Sequence, residues 1–201
     1  FEKVVTPGVA LEPGYFLKVA DLLRNFRKIS VYLQKVKEQA PLLSPYSAQL
    51  YVDKKFENEI TRILDENGEV KDDADPKLAS IRKNIVKLQD QTRNKIDSIL
   101  RNLAKSDILQ EPIITIRNDR FVIPVKSGAK KRVSGIVHDQ SSSGATVFIE
   151  PQATVDMNNE LSALRIAEKN EIHRILVELT NKLRARLNPI KSALETLVTL
   201  D

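Results

Sequence analysis

In a chain of 201 residues, 41% hydrophobic content is ample for a packed core, while 5% aromatic residues, no Trp, 6 Gly and 29% charged residues favour helix over compact all-β structure. The lack of Cys excludes disulfides, thiolate metal sites and cysteine nucleophiles and fits a reducing cytoplasm, and no apolar run approaches the roughly 18 residues of a membrane span. The net charge of +5 is localised: Arg117 to His138 carries Arg117, Arg120, Lys126, Lys130, Lys131 and Arg132 against Asp119, leaving 26 basic and 26 acidic groups for the other 179 residues.

Phe rather than Met at position 1 points to a piece of a longer protein, and Phe1-Glu2-Lys3 does not open a signal peptide. Pro13 suits the first turn of a helix whose apolar positions Phe16, Val19, Ala20, Leu23, Phe26, Ile29 and Leu33 recur at three and four, ending before Pro41. Ser44-Pro45 predicts a second helix start, with Leu50, Phe56, Ile60, Ile63 and Leu64 as its apolar positions, antiparallel to the first. Asn67-Gly68 tolerates positive φ and predicts a very short hairpin at Val70. The acids around it do not make a calcium loop, because aligning Gly68 with the loop glycine puts Ile63 and Ala74 at ligand positions.

Asp75-Pro76 caps a long helix with the seam Leu78, Ile81, Ile85, Leu88, Thr92, Ile96, Ile99 and Leu103, close to heptad spacing and about 40 Å long at the helical rise. A helix of that length needs a comparable partner. It appears after residue 151, where Leu161, Leu164, Ala167, Ile172, Ile175, Leu179, Leu183 and Leu187 lead to Asn188-Pro189, and Ile190, Leu194 and Leu197 resume beyond. Between the two, from Pro112 to Pro151, the period changes. Ile113–Ile116, Phe121–Val125, Val133–His138 and Thr146–Ile149 predict four short strands, separated by turns at Asn118-Asp119, Ser127-Gly128 and Ser141 to Gly144. The predicted fold is mainly α with a small inserted antiparallel β-domain, an α+β chain in which long coiled-coil-like helices carry four strands.

Nucleotide chemistry is not expected of the chain alone: Gly128, Gly135 and Gly144 are seven and nine residues apart, and neither P-loop nor dinucleotide spacing occurs. His138-Asp139 with Ser141-Ser142-Ser143 contains the residue types of a serine hydrolase, but strand neighbours point to opposite faces and seldom form a triad. His138 and His173, with no Cys, give no metal signature. We expect no catalytic, cofactor-binding or metal-binding residues. The basic segment carries the functional expectation instead. Lys126, Lys130, Lys131 and Arg132, with Arg117 and Arg120 second, are the candidate phosphate contacts, reading backbone rather than base because only Phe121 and Phe148 offer stacking faces. The competing expectations are a structural connector whose β-tip contacts protein, and an enzyme resting on His138 and the serines.

Three runs carry a family resemblance: ITIRNDRFVIPVK from Ile114, GIVHDQSSSGATVFIEP from Gly135, and NNELSALRIAEKNEI from Asn158. Together with ILDENGEVKDDADPKLASIRK from Ile63, they resemble MutS-II, the second bacterial MutS subfamily. The resemblance implies a core helical region at 1–75, an ascending lever helix at 76–110, a β clamp at 111–151 and a descending lever helix at 152–201. It further implies a parent protein with a dimerising ATPase domain, to which ATP and Mg would belong, and in many members a Smr nuclease domain. Implied partners are branched DNA, in restraint of recombination, or the rRNA of stalled or collided ribosomes, in the cytoplasm and with no membrane. The stretch SGAKKR from Ser127 departs from the family by being more basic and less aromatic.

Overall fold

The computed structural model describes residues 8–200. Among the described residues, six α-helices and one four-stranded antiparallel sheet form a mainly helical α+β arrangement. It divides into two compact units, one made of residues up to Ala79 together with those from Asn170 on, the other Ser80–Lys169. Among the described residues no helix is long and apolar enough to cross a membrane.

The first unit begins with α1 (Pro13–Lys35), which has Pro13 in its first turn and buries Phe16, Ala20, Leu23, Phe26 and Leu33. The single helix expected from Ser44 is two: α2 (Ser44–Gln49) and α3 (Lys54–Ile63), with Leu50 extended between them. The cause is Asp53, whose carboxylate accepts the Phe56 N–H at 2.9 Å and restarts the helix there. The short hairpin forms as expected, with Leu64 bridged to Val70, Gly68 at φ +85°, and the Asp65 carboxylate accepting the Asn67 and Glu69 N–H groups. Asp75 likewise accepts the Lys77 N–H at 2.7 Å at the start of α4 (Pro76–Leu103).

The helix expected to run to Asn188-Pro189 stops earlier, as α5 (Val155–Arg184), and α6 (Leu187–Leu200) follows. Pro189 lacks an N–H, and its ring crowds the carbonyl four residues back, that of Ala185. The break therefore lies one turn upstream of the proline. Arg186 occupies it, bonded to Asp53 at 2.8 Å with its guanidinium 4.5 Å from the centre of the Phe56 ring. Phe16, Phe26, Phe56, Ile60, Leu78, Leu179 and Ile190 lie in one core.

This unit is also tied by bracketed carboxylates. Hydrogen bonds from Arg27 and then Arg24 hold the nearly buried Glu57 carboxyl below the ordinary carboxylate range, against the effect of burial. Arg174 first, and Lys77 second, do the same for Glu171. A depressed folded-state pKa means that the stabilisation is complete above the unfolded value, about pH 4, and is lost as pH falls through the folded value. Thermal melts followed by tyrosine fluorescence should therefore hold a plateau above about pH 4 and drop below it. Glu57→Gln should lower the plateau and flatten the acid limb; an unchanged acid limb would remove Glu57 from the account.

The second unit packs β1 (Thr115–Arg117), β2 (Arg120–Lys126), β3 (Gly135–Gln140) and β4 (Thr146–Pro151) in the order β1-β2-β4-β3. Asn118 and Asp119, at φ 50° and 62°, make the two-residue turn between β1 and β2, the geometry that matches strand twist. Alternation along β2 and β4 sends Phe121, Ile123, Val125, Val147 and Ile149 into a core with Ile85, Leu88, Ile96, Leu100 and Leu161 of α4 and α5. The expected Ser127-Gly128 turn is longer, a 3₁₀ segment over Ser127–Arg132, and the third strand starts two residues later than expected.

Candidate nucleic-acid interface

The six candidate cations fall into three classes that the sequence does not distinguish. Lys130, Lys131 and Arg132 end the 3₁₀ segment and are exposed. The segment is anchored by buried Ala129 and by the Ser127 N–H donating to the Ala145 carbonyl at 2.9 Å. Among the described residues, no hydrogen bond or ion pair reaches the Lys130, Lys131 or Arg132 side chains. Three successive cations at 3.0 residues per turn fan around the axis, so they present charge over an arc rather than at a point.

Lys126 and Arg117 are paired at the surface. Lys126 forms an ion pair with Asp107, and that contact, with Arg132 at longer range, holds the Asp107 carboxyl below the ordinary carboxylate range. The Arg117 guanidinium lies 4.0 Å from the centre of the Phe148 ring, pairs with Asp139 at 3.0 Å, and donates to Thr115 Oγ1 at 3.1 Å and to the Ile116 carbonyl at 2.8 Å.

Arg120 is locked. It donates to both carboxylate oxygens of Glu150, at 2.8 and 3.0 Å, and to Asn159 at 2.7 Å. Glu150 is fully buried, and it also meets His138 Nε2 at 2.5 Å and accepts from Asn158 Nδ2 at 2.7 Å. Asn158 in turn bonds the backbone N–H and C=O of Phe121, so the knot ties α5 to both β2 and β4. Each polar atom in it is satisfied, which is the condition under which a buried charge is tolerated. His138 sits at an irregularity between Val137 and Asp139 in β3, facing Glu150, while the Ser141 and Ser143 hydroxyls serve their own turn.

Sequence reasoning thus missed three acids that fold onto the basic segment: Asp107, Asp139 and Glu150. Counting them lowers the local excess from +5 to +2. All three lie outside the charge window in sequence, and their pairing with Arg117, Arg120 and Lys126 reveals them.

No family model matches the chain. Among curated proteins, "Endonuclease MutS2" of Pelotomaculum thermopropionicum is 45% identical over 194 residues, covering 96% of this chain and 25% of that protein. "Endonuclease MutS2" of Symbiobacterium thermophilum is 40% identical over 200 residues, covering 100% and 25%. "Putative endonuclease MutS2" of Bacillus subtilis is 41% identical over 197 residues, covering 96% and 25%. The chain spans about a quarter of the length of these relatives. At 40–45% identity along nearly its whole length, the chain belongs to the MutS2 family as a region of those longer proteins.

Proposed function

We propose that this chain is a non-catalytic lever and clamp region that grips the phosphodiester backbone of nucleic acid, as branched DNA or as rRNA of stalled or collided ribosomes. In the full-length, homodimeric protein that grip is coupled to ATP hydrolysis elsewhere in the chain. The observation that carries the reading is the 3₁₀ segment with Lys130, Lys131 and Arg132 exposed and unpaired at its end, on a turn anchored by Ala129. Lys126 and Arg117 join as second contacts by exchanging their surface acids for phosphate, a cheap exchange because exposed ion pairs contribute only about 0–1 kcal/mol. Arg120 holds the sheet together through Glu150 and contributes by keeping the platform rigid. Backbone contacts of this kind position nucleic acid without reading sequence.

The test is Lys130→Glu, Lys131→Glu and Arg132→Glu together, with a labelled four-way DNA junction and a labelled RNA hairpin as probes. Three phosphate contacts correspond to a log–log salt slope of about −2.7 on duplex DNA, and reversing them should weaken binding by a hundredfold or more at about 50 mM salt. Circular dichroism should be unchanged. Wild-type affinity of the triple variant for both probes would overturn the reading, and a loss larger on one probe than on the other tells DNA from RNA as the partner.

A second reading, a connector whose clamp contacts protein, is favoured by Ile136 and Val137 on edge strand β3, 44% and 36% exposed. It predicts that Ile136→Lys abolishes partner binding with a shallow salt dependence, while the charge reversals do little.

A further inference from the structure

We infer that Asp107 is a built-in competitor of phosphate at the basic turn, a tethered carboxylate that occupies Lys126 until a polyanion displaces it. The inference rests on the proposed phosphate-gripping role of that turn. Asp107 belongs to the connection between α4 and β1, and its position is fixed by backbone pairing rather than by its own side chain. The Lys126 N–H donates to the Ile108 carbonyl at 2.9 Å, the Gln110 N–H donates to the Pro124 carbonyl at 3.0 Å, and Leu109 is bridged to Val125. This short ladder holds residue 107 beside Lys126, the last residue of β2.

Asp107 meets Lys126 directly, and Arg132 acts on the same carboxylate only at longer range. The carboxylate is 88% exposed, so its release into water costs little desolvation, and it contributes no packing. An open cavity of about 380 Å³ adjoins it, lined by Ala104, Lys105, Ser106, Asp107, Leu109 and Pro112. Lys105 and Ser106 give that cavity polar lining beside Asp107.

The consequence is a selection rule. An isolated anion gains little by replacing a tethered carboxylate that is always present at high local concentration. A polyanion that already engages Lys130, Lys131 and Arg132 supplies its next phosphate at comparable local concentration and displaces Asp107. The grip is thereby graded: three cations are ready at first contact, and a fourth is recruited only by an extended backbone.

Asp107→Asn removes the competitor without touching the core. In wild type, replacing Asp107 at Lys126 releases no counterion, whereas in the variant that lysine carries one. The variant should therefore bind the labelled four-way junction on the order of tenfold more tightly at about 50 mM salt, with a slope steeper by about 0.9. Asp90→Asn, at an exposed position of α4, makes the same change in net charge and should move affinity less than twofold. Adding Lys126→Met to Asp107→Asn should cancel most of the gain. The inference is overturned if Asp107→Asn and Asp90→Asn behave alike while the triple reversal at Lys130, Lys131 and Arg132 still abolishes binding. If the triple reversal also leaves affinity intact, the phosphate-gripping reading itself fails and takes the competitor with it.

Discussion

Arg120→Ala should unfold the sheet of the second unit, with a loss on the order of 3 kcal/mol, the low end for breaking a buried pair because Arg120 keeps partial access to water. The loss comes from what remains. Glu150 is fully buried, and without Arg120 its charge is left with only His138 and Asn158 to stabilise it. The double variant Arg120→Ala with Glu150→Leu should be more stable than Arg120→Ala alone, since a buried pair replaced as a whole costs far less than one partner stranded. All four Tyr residues, Tyr15, Tyr32, Tyr46 and Tyr51, lie in the first unit, so tyrosine fluorescence reports on that unit alone. Hydrogen exchange by mass spectrometry over residues 115–151 reports on the sheet. Protection should be lost there with the tyrosine signal unchanged; a single variant as stable as wild type would show that Glu150 is satisfied without its guanidinium.

Gly135→Ala is the second large effect, and it acts through contact rather than backbone strain. A Cβ at Gly135 would stand 2.1 Å from the Glu150 carbonyl oxygen and 2.8 Å from Ile149 Cγ2, and neither can retreat because both belong to the adjacent strand β4. β3 must shift or detach, at a cost of about 1–3 kcal/mol or more, and exchange protection over residues 136–140 should fall selectively. Gly128→Ala is the matched contrast. A Cβ there meets nothing within 4 Å, and the residue lies in the 3₁₀ segment without positive φ, so the change should be neutral or stabilising by up to about 1 kcal/mol. Equal behaviour of the two alanines in unfolding experiments would refute the contact argument.

Both effects bear on the proposed function, because the exposed cations are only as well placed as the sheet beneath them. The 3₁₀ segment leaves β2 at Lys126 and is held from the other side by the Ala145 carbonyl, next to β4. Loss of the β2–β4 pairing would therefore scatter the cations even with every lysine intact. Binding and folding must be measured on the same variants for that reason.

Much of the architecture follows from short-range chemistry. Pro13, Asp75-Pro76, Asn67-Gly68 and Asn118-Asp119 each set a helix start or a turn through bonds spanning a few residues, and the structure places them as read. The change of hydrophobic period near residue 112 likewise announces the sheet. Where the reading slipped, a longer-range partner decided. The helix from Ser44 broke because Asp53 caps α3, and Asp53 is in turn held by Arg186, 133 residues away. Leu100 is buried although it lies off the expected α4 seam, since the β-sheet, and not only another helix, covers that end.

The sequence by itself determined the fold class, most element starts and the family, because periodicity, caps and turns are local, and because matching runs survive without reference to space. It also determined that positive charge is concentrated between Arg117 and Arg132. Only the tertiary structure decided which of those charges are free. Lys126 meets Asp107 across 19 residues and Arg120 meets Glu150 across 30, and strand pairing brings each pair together. Coulomb interaction depends on distance through space, whereas a sequence counts distance along the chain, and so six equivalent cations resolve into three that are exposed, two that are paired with acids at the surface and one that is held by a buried carboxylate.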